Sequence, residues 1–207
     1  MNTSIIDKYF NLSTSKIETI NQLIDIYSFW NNKINLISRK DFEHFYERHV
    51  LHSLSICKVF SFVSNTKIMD LGSGGGFPGI PLAILFPNVH FFLVDSISKK
   101  TKAIQAIIKD LDLKNVKVIN NRAEHVNESF DFIVSRAVAP LDKLELWTED
   151  KISKKQINKC KNGLICLKGG DLAKEIQKNT KNIKIYSISN FFEEDFFFEK
   201  KIIHVMK

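Results

Sequence analysis

From Lys67 onward, short β-rich runs alternate with segments long enough for helices, and this alternation constrains the fold more than any other feature. The runs are KIMDL (67–71), VHFFLVD (89–95), VKVIN (116–120), FDFIVS (130–135) and GLICLKG (163–169). Parallel neighbours need a connection of a dozen or more residues, usually a helix, so this spacing predicts an α/β fold with a doubly wound, mostly parallel sheet. The nearly continuous apolar character of VHFFLV and FDFIVS suits strands covered on both faces. IKIYSIS (183–189) and KIIHVMK (201–207) predict a final antiparallel pair, with NFFEEDFFFEK (190–200) as a loop entering the last strand.

Upstream the period is helical. Ile17, Ile20, Ile24 and Tyr27 recur at helical spacing, and Ser15 with Glu18 reads as a capping-box pair, which predicts a helix from about Ser15 to Asn35. A second helix is expected from about Asp41 to Phe60, with Phe42, Phe45, His49, His52 and Ile56 on related faces. The organisation expected is a helical appendage, 1–64, packed on a catalytic unit, 65–207.

Charge and cysteine content narrow the class. Lys+Arg 30 against Asp+Glu 23 gives a net charge of +7 in 207 residues, a weak vote for a polyanionic partner such as nucleic acid. The three cysteines, Cys57, Cys160 and Cys166, form neither a CxxC motif nor a Cys/His cluster, so no disulfide framework and no metal site is expected, and a reducing, cytoplasmic setting fits. The N-terminal run MNTSIIDKYFNLS does not read as a signal peptide, and no apolar stretch approaches the ~20 residues needed to cross a bilayer. No dimerisation motif stands out, which leaves a monomer as the expectation.

The passage richest in chemistry is MDLGSGGGFPGIPLAI, 69–84. Asp70 ends an apolar strand, Gly72, Gly74 and Gly76 follow at two-residue intervals, and an apolar helix begins near Pro78 or Pro81. Glycine serves here because the chain must turn sharply and let backbone N–H groups approach a ligand without an intervening Cβ. The dinucleotide fingerprint wants glycine or alanine where Phe77 stands, and a P-loop needs a Lys-Ser/Thr pair that does not follow. Acidic-x-Gly-x-Gly-x-Gly instead resembles motif I of class I, Rossmann-like methyltransferases that use S-adenosylmethionine. Asp95, ending the second strand, is placed to accept from ribose hydroxyls, which points to a nucleoside ligand without choosing its class.

Further stretches carry a closer resemblance. FWNNKINLIS (29–38), RHVLHS (48–53), DLGSGGGFPGIPLAI (70–84), VDS (94–96), RAE (122–124), SRA (135–137) and LKGG (167–170) occur in this order and span most of the chain. Together they resemble the bacterial small-subunit ribosomal RNA methyltransferase G family, also called glucose-inhibited division protein B. His52 departs from the aspartate usual there. The resemblance implies methyl transfer from S-adenosylmethionine to N7 of a guanosine in 16S ribosomal RNA, free or within the small ribosomal subunit. It implies that Gly72 and Phe77 line the cofactor, that Ala123 and Glu124 flank its adenine, and that Arg136 sits beside the site; Gly74 and Asp95 join them on the turn and ribose arguments.

What the sequence omits agrees with this chemistry. Guanine N7 carries a lone pair and no proton, so its methylation needs alignment and charge management rather than a general base. C5 methylation of a pyrimidine would call for a cysteine nucleophile, and none follows the glycine turn or the fourth strand closely. Amino-group methylation of adenine commonly uses Asn-Pro-Pro-aromatic after the fourth strand, where SRAVAP stands instead.

Individual side chains carry two readings each. Arg136 is either a cationic donor near cofactor or RNA, and so a candidate catalytic group, or an ion pair ordering the strand exit; its place at a strand's C-terminal end favours the first. Arg48 and His49 are RNA-contact candidates that also suit a solvated or packed helix face. Trp30, with Asn31 and Asn35, is expected to anchor the appendage rather than stack on a base. Lys99, Lys100, Lys102 and Lys168 are candidates for a basic rim, Lys168 for RNA contact. The phenylalanines of 192–198 are expected in core and strand edge, because the residues between them are acidic. Three other functions stay open: a class I methyltransferase acting on another RNA, a small molecule or a protein, a nicotinamide oxidoreductase, and a non-enzymatic assembly factor that binds ribosomal RNA.

Overall fold

The computed structural model describes residues 4–170, 172, 175 and 182–207; residues 1–3 of the N-terminal run weighed above as a leader fall outside these. Among the described residues, seven strands form one sheet in the order β3-β2-β1-β4-β5-β7-β6. They are β1 (Lys67–Leu71), β2 (His90–Asp95), β3 (Val116–Asn120), β4 (Phe132–Arg136), β5 (Gly163–Gly169), β6 (Ile183–Ser187) and β7 (Lys200–Met206). The first five are parallel neighbours, while β7 pairs antiparallel with both β5 and β6. The expected doubly wound sheet with an antiparallel end is thus present, and the winding reverses between β1 and β4.

Side chains alternate between two apolar layers, as strand pleating requires. Ile68, Phe91, Leu93, Phe132, Val134, Ile165, Leu167 and Ile202 fall in one buried cluster, and Met69, Leu71, Phe92, Val94, Ile133, Leu164, Cys166 and Ile203 in the other. The first layer is covered by α5 (Gly79–Leu85), α6 (Ser98–Asp110) and the N-terminal helices, the second by α7 (Leu141–Thr148). Because Ile20, Leu23, Phe45 and Leu51 share a cluster with strand residues, the N-terminal third packs into the sheet's own core. Asn115 ties the edge of this core: its side-chain nitrogen lies 3.0–3.1 Å from the carbonyl oxygens of Ala83, Phe86 and Val89. Asn115→Ala removes all three of these bonds, leaving Phe86 O only the Val89 N–H, and urea unfolding should show a loss of about 2 kcal/mol.

The N-terminal helices differ from expectation in two places. After α1 (Ser4–Tyr9), α2 runs Thr14–Lys33 with Ser13 as its N-cap, so Ser15 lies inside the helix and no Ser15–Glu18 capping box forms. Ser13 sits in extended backbone and its carbonyl receives the first helical N–H groups, from Lys16 and Ile17 at 3.0 and 3.1 Å. The expected second helix is broken into α3 (Arg39–Phe42), a π-helical turn (Phe45–Leu51), α4 (His52–Leu54) and a 3-10 turn (Ser55–Lys58). The wide turn goes with a long-range contact. The carbonyl of Arg48, which an α-helix would offer to the His52 N–H, accepts instead from Arg136 Nη1 at 3.0 Å, and the His52 N–H turns to Glu47 and His49. A side chain inserted into the i→i−4 ladder is a recognised source of such distortion.

Candidate functional site: two cavities at the strand switch point

Open α/β sheets place ligands beyond the carboxyl ends of their strands where the winding reverses. Here that point lies between β1, which leads into the glycine turn, and β4, which ends at Arg136. Two cavities open there. One, of about 420 Å³, is lined by Gly72, Gly74, Asp95, Ser96, Ile97, Lys100, Ala123, Glu124, Val138 and Trp147 among others. The other, of about 390 Å³, is lined by Arg48, His49, His52, Arg136, Lys168, Phe196 and Lys200 among others.

The first cavity is built on backbone that only this turn supplies. Gly72 has φ +67°, and a Cβ there would stand 2.6 Å from Val138 Cγ2. The N–H groups of Gly72 and Ser73 both bond to Val94 O, at 2.9 and 3.1 Å, which pins the turn to the end of β2. Asp95 then organises the rim: its carboxylate accepts from the Gly74 N–H at 2.9 Å and from the Ile97 N–H at 2.8 Å, one on each oxygen. Each oxygen retains a second acceptor site. Of the residues expected to hold a cofactor, Gly72, Gly74, Asp95, Ala123 and Glu124 are therefore brought to one cleft, and Lys100 of the expected basic rim joins them.

Asp70 lies beneath the turn, fully buried, and its Oδ2 accepts from the Gly79 N–H at 2.8 Å, at the start of α5. Burial pushes this carboxyl up to about 7, against the opposing pull of the Gly79 amide and the Arg136 charge. The other N–H groups at this helix start are also engaged: Gly76 and Phe77 bond to Ser73 O, and Ile80 bonds to Gly76 O.

Phe77 and Arg136 stand apart from that cleft. The Phe77 ring is buried under the turn, 5.0 Å from the ring of Tyr27 and 5.2 Å from that of His49, and is not among the residues that line the cleft. Arg136 holds its guanidinium 5.1 Å from the Phe77 centroid, bonds to Arg48 O and reaches His49 Nδ1 at 2.9 Å. Arginine only donates, so His49 Nδ1 accepts and the imidazole proton sits on Nε2. Burial, then the Arg136 charge, pushes His49 down to about 3, so the ring is neutral at physiological pH. Burial also pulls Arg136 down to about 10, still charged. Arg136 thus lines the second cavity and ties β4 to the π-helical turn; it makes no ion pair with a carboxylate among the described residues.

The remaining candidates sort by what they touch. Arg48 lines the second cavity and pairs with Asp41 at 3.0 Å. Lys168 lines it too, but its ammonium contacts Glu175 Oε2 at 2.5 Å and Ala139 O at 2.8 Å with only 10% of the side chain exposed, so it is a structural tie rather than a free basic rim. His52 is buried, edge-on to the rings of Phe196 and Phe197. Trp30 packs half-buried against the core, while the direct link to the turn comes from Tyr27, whose hydroxyl donates to Gly75 O at 2.6 Å. Asn31 shapes the bend after α2, accepting from the Leu36 and Ile37 N–H groups and donating to Ile37 O. Of the phenylalanines in 192–198, Phe192 and Phe197 are core as expected, whereas Phe196 lines the second cavity and Phe198 is 79% exposed. Sequence reasoning gave Tyr27 and Phe196 packing roles only and did not single out Val138, Trp147 or Lys200; only Val138, two residues past Arg136, stood close enough to a motif to be found.

Among the described residues no group of His, Cys, Asp or Glu is arranged to hold a metal ion, and no helix is long and apolar enough to cross a membrane.

Comparison with known proteins fits this architecture. The chain is 50% identical over 199 residues to a protein of Flavobacterium johnsoniae named ribosomal RNA small subunit methyltransferase G, covering 96% of this chain and 95% of that one. A protein of the same name from Phocaeicola vulgatus is 52% identical over 202 residues, 97% of each. Among solved structures, a SAM-dependent methyltransferase from Aquifex aeolicus superposes with a TM-score of 0.57 at 13% identity, over 83% of this chain and all of the other. Precorrin-6y C5,15-methyltransferase from Geobacter metallireducens gives 0.55 at 10% identity, over 84% and 91%. These two likenesses show the fold. The family model described as rRNA small subunit methyltransferase G matches residues 16–201, and the chain belongs to that methyltransferase family.

Proposed function

We propose that this protein transfers a methyl group from S-adenosylmethionine to N7 of a guanosine in 16S ribosomal RNA, in the cytoplasm where that RNA is found. The observation that carries the cofactor assignment is the Asp70 carboxyl group on the Gly79 N–H. A dinucleotide places its pyrophosphate at such a helix N-terminus. Here a buried protein carboxyl group already occupies it, and the neighbouring amides bond within the turn. The cradle therefore suits a nucleoside without phosphates, and a nicotinamide cofactor does not fit.

The residues present fit S-adenosylmethionine. Glycine at 72 lets Val138 pack directly on the turn, where a Cβ would stand 2.6 Å from Val138 Cγ2, and the two residues together form one wall of the cleft. Asp95 has free acceptor sites for the two ribose hydroxyls, while Ala123 and Glu124 stand at the far side of the cleft, where the adenine is expected. Bound there, the cofactor supplies an electrophilic methyl on a sulfonium. The protein then has to hold the acceptor in line and keep water away; N7 has no proton to lose, and the neutral His49 is not required as a base.

The family's relatives carry the name of ribosomal RNA methyltransferases, and the charge of +7 suits an RNA partner. Labelled methyl transfer to 16S RNA and to stripped 30S particles tests the reading, followed by borohydride and aniline cleavage to locate N7-methylguanosine. Incorporation at one guanosine is expected. A cleavage signal that persists in cells lacking the gene overturns the assignment.

A further inference from the structure

The loop after β4 is a partition. Arg136 and Ala137 line the second cavity while Val138, the next residue, lines the cofactor cleft and presses on Gly72. Ala137 adopts φ +55°, a left-handed conformation that a residue with a Cβ takes only when its surroundings impose it. The two cavities are thus neighbours across three residues at the same sheet edge, as a transferase needs when donor and acceptor occupy separate pockets.

The second cavity has the chemistry of a nucleotide site. Phe196, half-buried on the turn before β7, holds the Lys200 ammonium 4.8 Å and the Arg48 guanidinium 5.5 Å from its ring centroid. Aromatic and cationic groups presented together are the usual means of gripping an unstacked base and its phosphate. The cations differ in availability. Arg48 is paired with Asp41 and Lys168 with Glu175, whereas Lys200 has no carboxylate partner among the described residues. Three buried polar atoms in the walls, Arg48 Nε, His49 Nε2 and His52 Nε2, lack any hydrogen-bond partner, a condition rare in native interiors. The aromatic ring and the cations that line the cavity suit a polar, anionic ligand rather than an apolar one.

We infer that this cavity receives the acceptor purine, turned out of its strand and seated against Phe196, with Lys200 holding a phosphate of the same nucleotide. This rests on the ribosomal RNA reading above. Neither residue belongs to the cofactor cleft, so their loss should act on RNA alone.

The test is steady-state methylation of 30S particles at several salt concentrations by Phe196→Ala, Phe196→Tyr, Lys200→Ala and Lys200→Arg, with S-adenosylmethionine binding measured by calorimetry. Phe196→Ala should raise KM for the particle by about tenfold, and Phe196→Tyr should restore most of it. Lys200→Ala should weaken binding and flatten the log–log salt dependence by about one, with recovery in Lys200→Arg. Cofactor affinity should stay within twofold throughout. The inference fails if both alanine variants keep the wild-type KM and salt slope, or if they lose cofactor binding in step with RNA. If wild-type protein methylates no ribosomal RNA, it is the proposed function that fails instead.

Discussion

Asp95→Ala should lower the affinity for S-adenosylmethionine by about a hundredfold, close to 2.7 kcal/mol. Two effects add. The carboxylate is the expected acceptor for both ribose hydroxyls, and hydrogen bonds to a charged group contribute about 1.5–3 kcal/mol each. It also anchors the Gly74 and Ile97 N–H groups at 2.9 and 2.8 Å, so its removal loosens the turn that forms the cradle. Asp95→Asn keeps one acceptor oxygen and exchanges the other for a donor, so a loss of about tenfold is expected there. Calorimetric titration of the three proteins reads this series directly. An alanine variant that remains folded and binds within threefold of wild type would sink the assigned role of Asp95.

Acid should destabilise the fold steeply. Burial pushes His49 down to about 3 and His204 to about 4, and His52 lies well below the ordinary histidine value of 6.5 for the same reason. In the folded state these rings stay neutral, while the unfolded chain takes up three protons as pH falls through 6.5. Their stabilisation is therefore complete above pH 6.5 and is lost on the way down towards 4. Asp70 works in the opposite sense: raised to about 7, it holds a proton in the folded state that the unfolded chain releases above 3.8, so its contribution fades as pH rises through that interval. The net difference is three protons minus one, or two, and at about 1.4 kcal/mol per proton and pH unit the slope is about 3 kcal/mol per unit. Between pH 6.5 and 4.5 roughly 5 kcal/mol should vanish, a large share of the ~5–15 kcal/mol typical of a folded domain. Urea unfolding at pH 7.0, 5.5 and 4.5 measures it. A flat profile over that range contradicts the neutral, buried state of the three histidines.

The strands were legible because their signal is local. In HFFLVD every second residue goes to the same layer, and the glycine turn announces itself by residues that only a tight, ligand-facing bend requires. The break in the second helix was not legible, because its cause is a guanidinium 88 residues away taking one carbonyl out of the ladder. Ser13 and Ser15 offer the same side chain to a capping argument, and what separates them is where the preceding chain leaves extended backbone. Phe77 identified the family correctly yet acts through packing under the turn, a distinction that motif matching does not make. Phe196 was read as core or strand edge because Glu193, Glu194 and Asp195 precede it; its cations, Arg48 and Lys200, arrive from a different helix and from the next strand.

The bond from Arg136 to the Arg48 carbonyl also orders events during synthesis. The helical segment that contains Arg48 leaves the ribosome long before β4 does, and at that moment no guanidinium exists to take the carbonyl. Until then that carbonyl has only its own helical ladder or water as partner. A chain that ends before β4 therefore lacks the donor that the Arg48 carbonyl has in the finished protein.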